Sequence, residues 1–125
     1  MSKTLDLLLK PELPNVLKEL PEKRFRVRRL SDLAGEDVIF TLRGLPYGKV
    51  KSIQEMPDMT VQIVLAGCAD PDWKAPELLD AKQGIATPAD VVKSKLNAGE
   101  IDEISIEIQK LTGYRQKTID EIKNS

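Results

Sequence analysis

The sequence contains no histidine, a single cysteine (Cys68) and five aromatic residues: Phe25, Phe40, Tyr47, Trp73 and Tyr114. Each scarcity closes a class of function. Without histidine the chain lacks the commonest general base at neutral pH and the commonest zinc ligand. One cysteine excludes an internal disulfide and a multi-thiolate metal cluster within one chain. Five dispersed aromatics do not make a stacking platform for single-stranded nucleic acid. No apolar run approaches the roughly 18 residues of a membrane span. The first ten residues, where Asp6 interrupts a short apolar cluster ended by Lys10-Pro11, do not read as a signal peptide. The seven glycines are scattered, with no phosphate loop and no G-x-G-x-x-G. A soluble cytoplasmic protein that acts by binding is expected, with no catalytic, cofactor or metal residue to name.

What is present suits one globular domain: 125 residues, 41% of them hydrophobic and 31% charged. The net charge of −1 hides an asymmetry. Residues 1–52 carry 11 Lys/Arg against 7 Asp/Glu, and residues 53–125 carry 8 against 13. A basic front half and an acidic back half can complement each other within a chain or between copies, so self-association enters as an expectation.

The spacing of Leu5, Leu8 and Leu9 predicts a short N-terminal helix capped by Ser2 or Thr4. Three prolines (Pro11, Pro14, Pro21) then mark a tether with one helical turn around Val16–Leu20. Residues 1–22 therefore read as an arm and residues 23–125 as a single α+β domain. Phe25 and Val27 alternate with Arg24, Arg26 and Arg28, and Val38, Phe40 and Leu42 alternate in the next run. This period of two predicts an antiparallel β-hairpin over about 23–43, joined by a short loop containing Gly35.

A mainly helical body is expected over 46–124, with four to six helices. Pro46 suits the first turn of a helix reaching Met56, with Val50 and Ile53 inward. Residues 59–69 read as helix, because a third strand there has no evident partner. Cys68 falls in that apolar stretch and reads as a small core residue. Asp70 to Trp73 is a turn, followed by a short helix over 75–82 with Leu78 and Leu79 inward and Gly84 as its cap. Thr87-Pro88 with Asp90 is a clear helix start. Ile101, Ile104, Ile108 and Leu111 form one stripe of the strongest helix. Gly113 ends it, and Arg115 to Lys123 reads as a last helix carrying Ile119 and Ile122.

Three features invite a functional reading. Arg24, Arg26 and Arg28, with Arg29, form a basic strand face: a solvated surface, a seat for an acidic partner or self-surface, or a small nucleic-acid patch without aromatics. Trp73 is either the anchor of a neighbouring element or a partner hot spot. Ile106 lies off the helix stripe, either as a tolerated exposed residue or as a contact for another chain.

The order of segments resembles the XkdN-like phage tail assembly chaperones. The pieces are Thr4-Leu-Asp-Leu-Leu-Leu9, Val38-Ile-Phe-Thr-Leu-Arg-Gly-Leu45, Ile53-Gln-Glu-Met56, Asp70-Pro-Asp-Trp73 with Glu77-Leu-Leu79, Ala86-Thr-Pro-Ala-Asp-Val-Val92, Ala98-Gly-Glu-Ile101 and Leu111-Thr-Gly-Tyr114. The resemblance implies a non-enzymatic protein of a phage or prophage. Such a protein binds the tape measure protein in the host cytoplasm, keeps it soluble while the tail tube grows, and is absent from the finished virion. The tube subunit is a further implied partner; nucleic acid and membrane are not. On this reading the apolar candidates for partner contact are Leu5, Leu8, Leu9, Trp73 and Ile106. Arg24, Arg26 and Arg28 then serve self-association or an acidic partner. The alternatives are a structural tail component retained in the particle and a nucleic-acid-binding regulator using the arginines.

Overall fold

A computed structural model describes residues 2–123. Two strands form first in the chain, Glu22–Arg26 (β1) and Ile39–Arg43 (β2), paired antiparallel with Phe25 opposite Phe40. A third strand, Cys68–Asp70 (β3), pairs antiparallel with the other edge of β2. The central strand supplies most of the sheet's contribution to the core, with Phe40 and Leu42 buried, and β3 adds Cys68. Four helices complete the body: Tyr47–Gln54 (α3), Met59–Gly67 (α4), Pro88–Lys95 (α5) and Ala98–Leu111 (α6). Two more precede them, Lys3–Leu8 (α1) and Arg28–Ala34 (α2). The fold is α+β, with the helical body packed on a small antiparallel sheet.

The core joins Phe40 and Leu42 to Ile53, Val61, Val64, Trp73, Val91, Val92, Ile104 and Ile108. Helix α6 crosses α4 at close range. A Cβ on Gly67 would meet the Ile108 side chain at 2.5 Å, so glycine sets the approach of these two helices. The two strongest helix starts are capping boxes. Thr87 Oγ1 accepts from the Asp90 N–H at 3.2 Å, and the Asp90 carboxylate accepts from the Thr87 N–H at 3.1 Å. Asn97 and Glu100 make the same reciprocal pair at 2.9 and 2.8 Å. The end of α6 is closed by Gly113, at φ 102°, whose N–H donates to the Lys110 carbonyl while Tyr114 N–H donates to Gln109.

Several expectations change. The β1–β2 connection is not a short loop, because it contains α2. That helix has no side-chain cap at Val27, and its buried face holds Ser31 where an apolar residue would reveal the period. Ser31 Oγ donates to the Val27 carbonyl at 2.7 Å and accepts from the Val38 N–H at 2.9 Å, stitching α2 to the start of β2. Arg28 therefore opens a helix and leaves the strand face of Arg24 and Arg26. Residues 59–69 are helix only to Gly67; the last positions extend the sheet through a partner 25 or more residues away, which no local pattern signals. Pro46 is the N-cap of α3, one position earlier than expected.

The expected helix over 75–82 is two 3₁₀ turns, Pro76–Leu78 and Ala81–Gln83, the second enclosed by an Asp80–Ile85 bridge, and Leu79 is exposed. The expected helix over 115–123 does not form. Arg115 takes φ 63°, and two isoleucines over nine residues give too little surface for a helix of that length, which is marginal without packing.

Candidate protein-binding surface

The arm is where apolar side chains are least covered. Ser2 caps α1, its Oγ accepting from the Leu5 N–H at 3.0 Å, as expected. None of the residues of α1 is buried, and Leu5, Leu7, Leu8, Leu9, Leu13, Val16 and Leu17 are all exposed. Leucines spaced for one helix face, with nothing beneath them, are an unpaid hydrophobic contact.

A second apolar surface lies on the body. Leu45, Val50, Ile53, Met59, Ile63 and Tyr114 line a groove of about 170 Å³ between α3, α4 and the end of α6. Polar ties join its walls: the Leu45 N–H donates to Thr112 Oγ1 at 3.0 Å, and Thr112 Oγ1 donates to the Ile108 carbonyl at 2.8 Å. Tyr47, beside it, is exposed, with the Lys51 ammonium 5.2 Å from its ring centre. A neighbouring depression shares Leu45, Val50 and Tyr114 and is edged by Val16 and Leu20 of the tether. These groove residues escaped the sequence reading, because each reads alone as an ordinary helix-face position. Only the meeting of three helix ends makes them one surface.

The arginines are divided among different tasks. Arg26 Nε donates to Asp37 at 2.7 Å, with Asp32 at 3.5 Å. Arg29 forks onto Glu100, at 2.8 and 3.1 Å, and donates to the Lys95 carbonyl at 2.9 Å. These contacts raise both guanidinium pKa values, and the Arg29 hydrogen bond holds the Glu100 carboxyl below its usual range. Among the described residues Arg24 and Arg28 make no ion pair. The basic run thus spends one arginine on tying the basic half of the chain to the acidic half, 71 residues on.

Trp73 is not a surface residue. It is 4% exposed, and its ring meets Phe40 edge-on at 5.5 Å and 83°. The turn expected at Asp72 folds it inward: Asp72 Oδ1 accepts from the Lys74 N–H at 3.0 Å. Among the described residues its indole N–H meets no oxygen or nitrogen acceptor and lies beside the Cys68 thiol, which burial pushes up to about 11. Cys68 is the buried residue expected. Ile106 is half-buried, outside the main core and outside the groove.

Among the described residues no cluster of acidic or thiol side chains is arranged to hold a metal, and no helix is long and apolar enough to cross a membrane. Fold and surface together define a small α+β domain with two exposed apolar surfaces. A family model described as phage XkdN-like tail assembly chaperone protein matches residues 55–124, and the chain belongs to that family. The match includes α4, α5, α6 and part of the groove. The fold is similar to the crystal structure of the protein YqbN, with a TM-score of 0.64, 19% sequence identity, and 86% of this chain and 94% of that chain covered. None of the curated proteins matches significantly.

Proposed function

We propose that this protein is a non-enzymatic chaperone of tail assembly that binds the tape measure protein and keeps it soluble until the tube is built. The observation that carries this reading is the pair of exposed apolar surfaces, the leucine-rich arm and the α3–α4–α6 groove, on a member of a tail assembly chaperone family. A long helical protein with apolar faces aggregates unless those faces are covered, and a small partner offering matching apolar surface covers them. The groove takes side chains of the partner, and Leu5, Leu8 and Leu9 add surface beside it. Arg24 and Arg28, which make no ion pair among the described residues, face an acidic segment of the partner or of another copy. The protein works in the host bacterial cytoplasm, hands its client to the tube subunit, and is absent from the virion.

Co-expression with the tape measure protein tests this. The wild-type chain brings the tape measure protein into the soluble fraction as a complex. Met59→Asp with Tyr114→Asp, both exposed positions, leaves the chain folded and weakens the complex at least tenfold. A tape measure protein equally soluble without this chain would sink the proposal. Mass spectrometry of purified particles separates the reading from a retained structural component, which would be present there in stoichiometric amount.

A further inference from the structure

The arm and the groove are two apolar surfaces on one chain, and the structure records them apart. Leu8 and Leu9 are 66% and 68% exposed, while the groove stands open between three helices. The tether between them is already anchored at the groove's margin. Val16 and Leu20 line the depression beside it, and the Gly44 N–H donates to the Pro21 carbonyl at 2.9 Å. The anchored end therefore lies at the groove, and the free end is α1.

Residues 9–15 separate α1 from Val16 and include Pro11 and Pro14. In the structure they begin with a turn, the Leu13 N–H donating to the Lys10 carbonyl at 3.2 Å; drawn out at ~3.1 Å per residue they span about 22 Å. That exceeds the radius of gyration of about 14 Å expected for a domain of this size, so α1 can reach the groove from its anchor. The groove's volume of about 170 Å³ compares with the ~150 Å³ apolar cavity that accepts a benzene ring. It takes one or two leucine side chains. Because the two surfaces share a chain, their effective concentration is millimolar, and a contact too weak to hold in trans holds in cis.

We propose that the N-terminal arm is an intramolecular strap: in the free protein Leu5, Leu8 and Leu9 close over the groove between α3, α4 and α6, and an incoming apolar helix displaces them. The strap keeps the chaperone's own apolar surfaces from associating before a client arrives. Its consequence for the client rests on the groove being the client's seat, but closure is a property of the isolated chain. Failure of closure leaves the proposed function standing, and failure of client binding leaves closure standing.

The test uses the full chain with Lys3→Cys carrying a nitroxide. Buried Cys68 stays unlabelled, because its thiol is pushed up to about 11. Dilute labelled protein shows broadened methyl signals for Ile53 and Ile63, and Leu5→Asp with Leu8→Asp, which alters no buried residue, restores them. Unbroadened signals overturn the strap. Broadening that appears only when labelled and unlabelled chains are mixed, and grows with concentration, makes a second copy the occupant and overturns it as well. A peptide of residues 2–10 supplies the second readout. With the strap closed in nine of ten molecules, the peptide binds a chain lacking those residues roughly tenfold more tightly than the full chain. Equal affinity for the two chains overturns the proposal.

Discussion

At Gly67 and Gly48 the same side chain would have opposite effects. Gly67 lies in α4 with Ile108 fully buried against it, so an added methyl meets that side chain at 2.5 Å and forces α6 outward. Gly67→Ala is expected to lose ~1–3 kcal/mol of unfolding free energy, the usual cost of overpacking a filled core. Gly48 is exposed in α3 with nothing within 4 Å of the added carbon. Gly48→Ala should instead gain ~0.5–1 kcal/mol by favouring the helix and restricting the unfolded chain. Urea unfolding of both variants measures the contrast, and a stabilising Gly67→Ala would show that α4 and α6 are looser than described. Ile106→Asp belongs at this scale too. The side chain is half-buried and lies outside the main core, so the variant is expected to fold and to bind its partner less well. Loss of the folded state would mark Ile106 as a core residue and remove it from the contact surface.

Among the elements, α6 concentrates three interactions on one residue. Glu100 accepts from the Asn97 N–H in the capping box and takes the Arg29 fork from α2. Glu100→Gln separates the two roles, since glutamine still serves a capping box while the charge on Arg29 loses its partner. Arg29 holds the Glu100 carboxyl below its usual 4.5 in the folded chain. Its contribution to stability is therefore present above that pH and is lost as the pH falls through the lowered folded value. Wild type should exceed Glu100→Gln in thermal midpoint at pH 7, and the two should converge towards pH 3. A gap independent of pH would assign the loss to packing. Asn97→Ala and Thr87→Ala test the caps alone, each expected to cost ~1 kcal/mol. These caps also mark what was legible. Thr87-Pro88 with Asp90, and the stripe of Ile101, Ile104, Ile108 and Leu111, could be read because cap and period are local. Helix α2 and strand β3 could not: one has a serine on its buried face and no cap, and the other exists only through pairing with β2. The candidate surface divided the same way. The arm leucines were visible as a pattern, whereas the groove at Val50, Met59, Ile63 and Tyr114 exists only once three helix ends meet, and Trp73 faces inward through a turn whose direction residue type does not set.

For the whole molecule, the division between basic and acidic halves looks different once Arg29 sits on Glu100. Part of the complementarity that suggests pairing between copies is used inside one chain, while the apolar residues left over gather outside the core, on the arm and at the groove. The arm leucines take no part in the core, whereas Leu45 and Ile53 serve both the core and the wall of the groove. The set that folds runs from Val27 to Ile108, and its most enclosed members are Leu42, Val64, Val91, Val92 and Ile108. Residues 2–10 bury nothing, and Ile119 and Ile122 beyond α6 are 81% and 72% exposed. A chain lacking residues 2–10 should keep its unfolding free energy within ~0.5 kcal/mol, the range of changes away from packed features. Amide exchange extends the test along the whole chain. The amides of Val64, Val92 and Ile108 should exchange only on global unfolding, protection should stop sharply after Tyr114, and residues 117–121 should exchange within seconds, because among the described residues they belong to no helix or strand ladder. Slow exchange over 117–121 would mean that the last segment folds as the helix its isoleucine spacing suggests. The boundary of the folded body would then have to be redrawn at that end of the molecule.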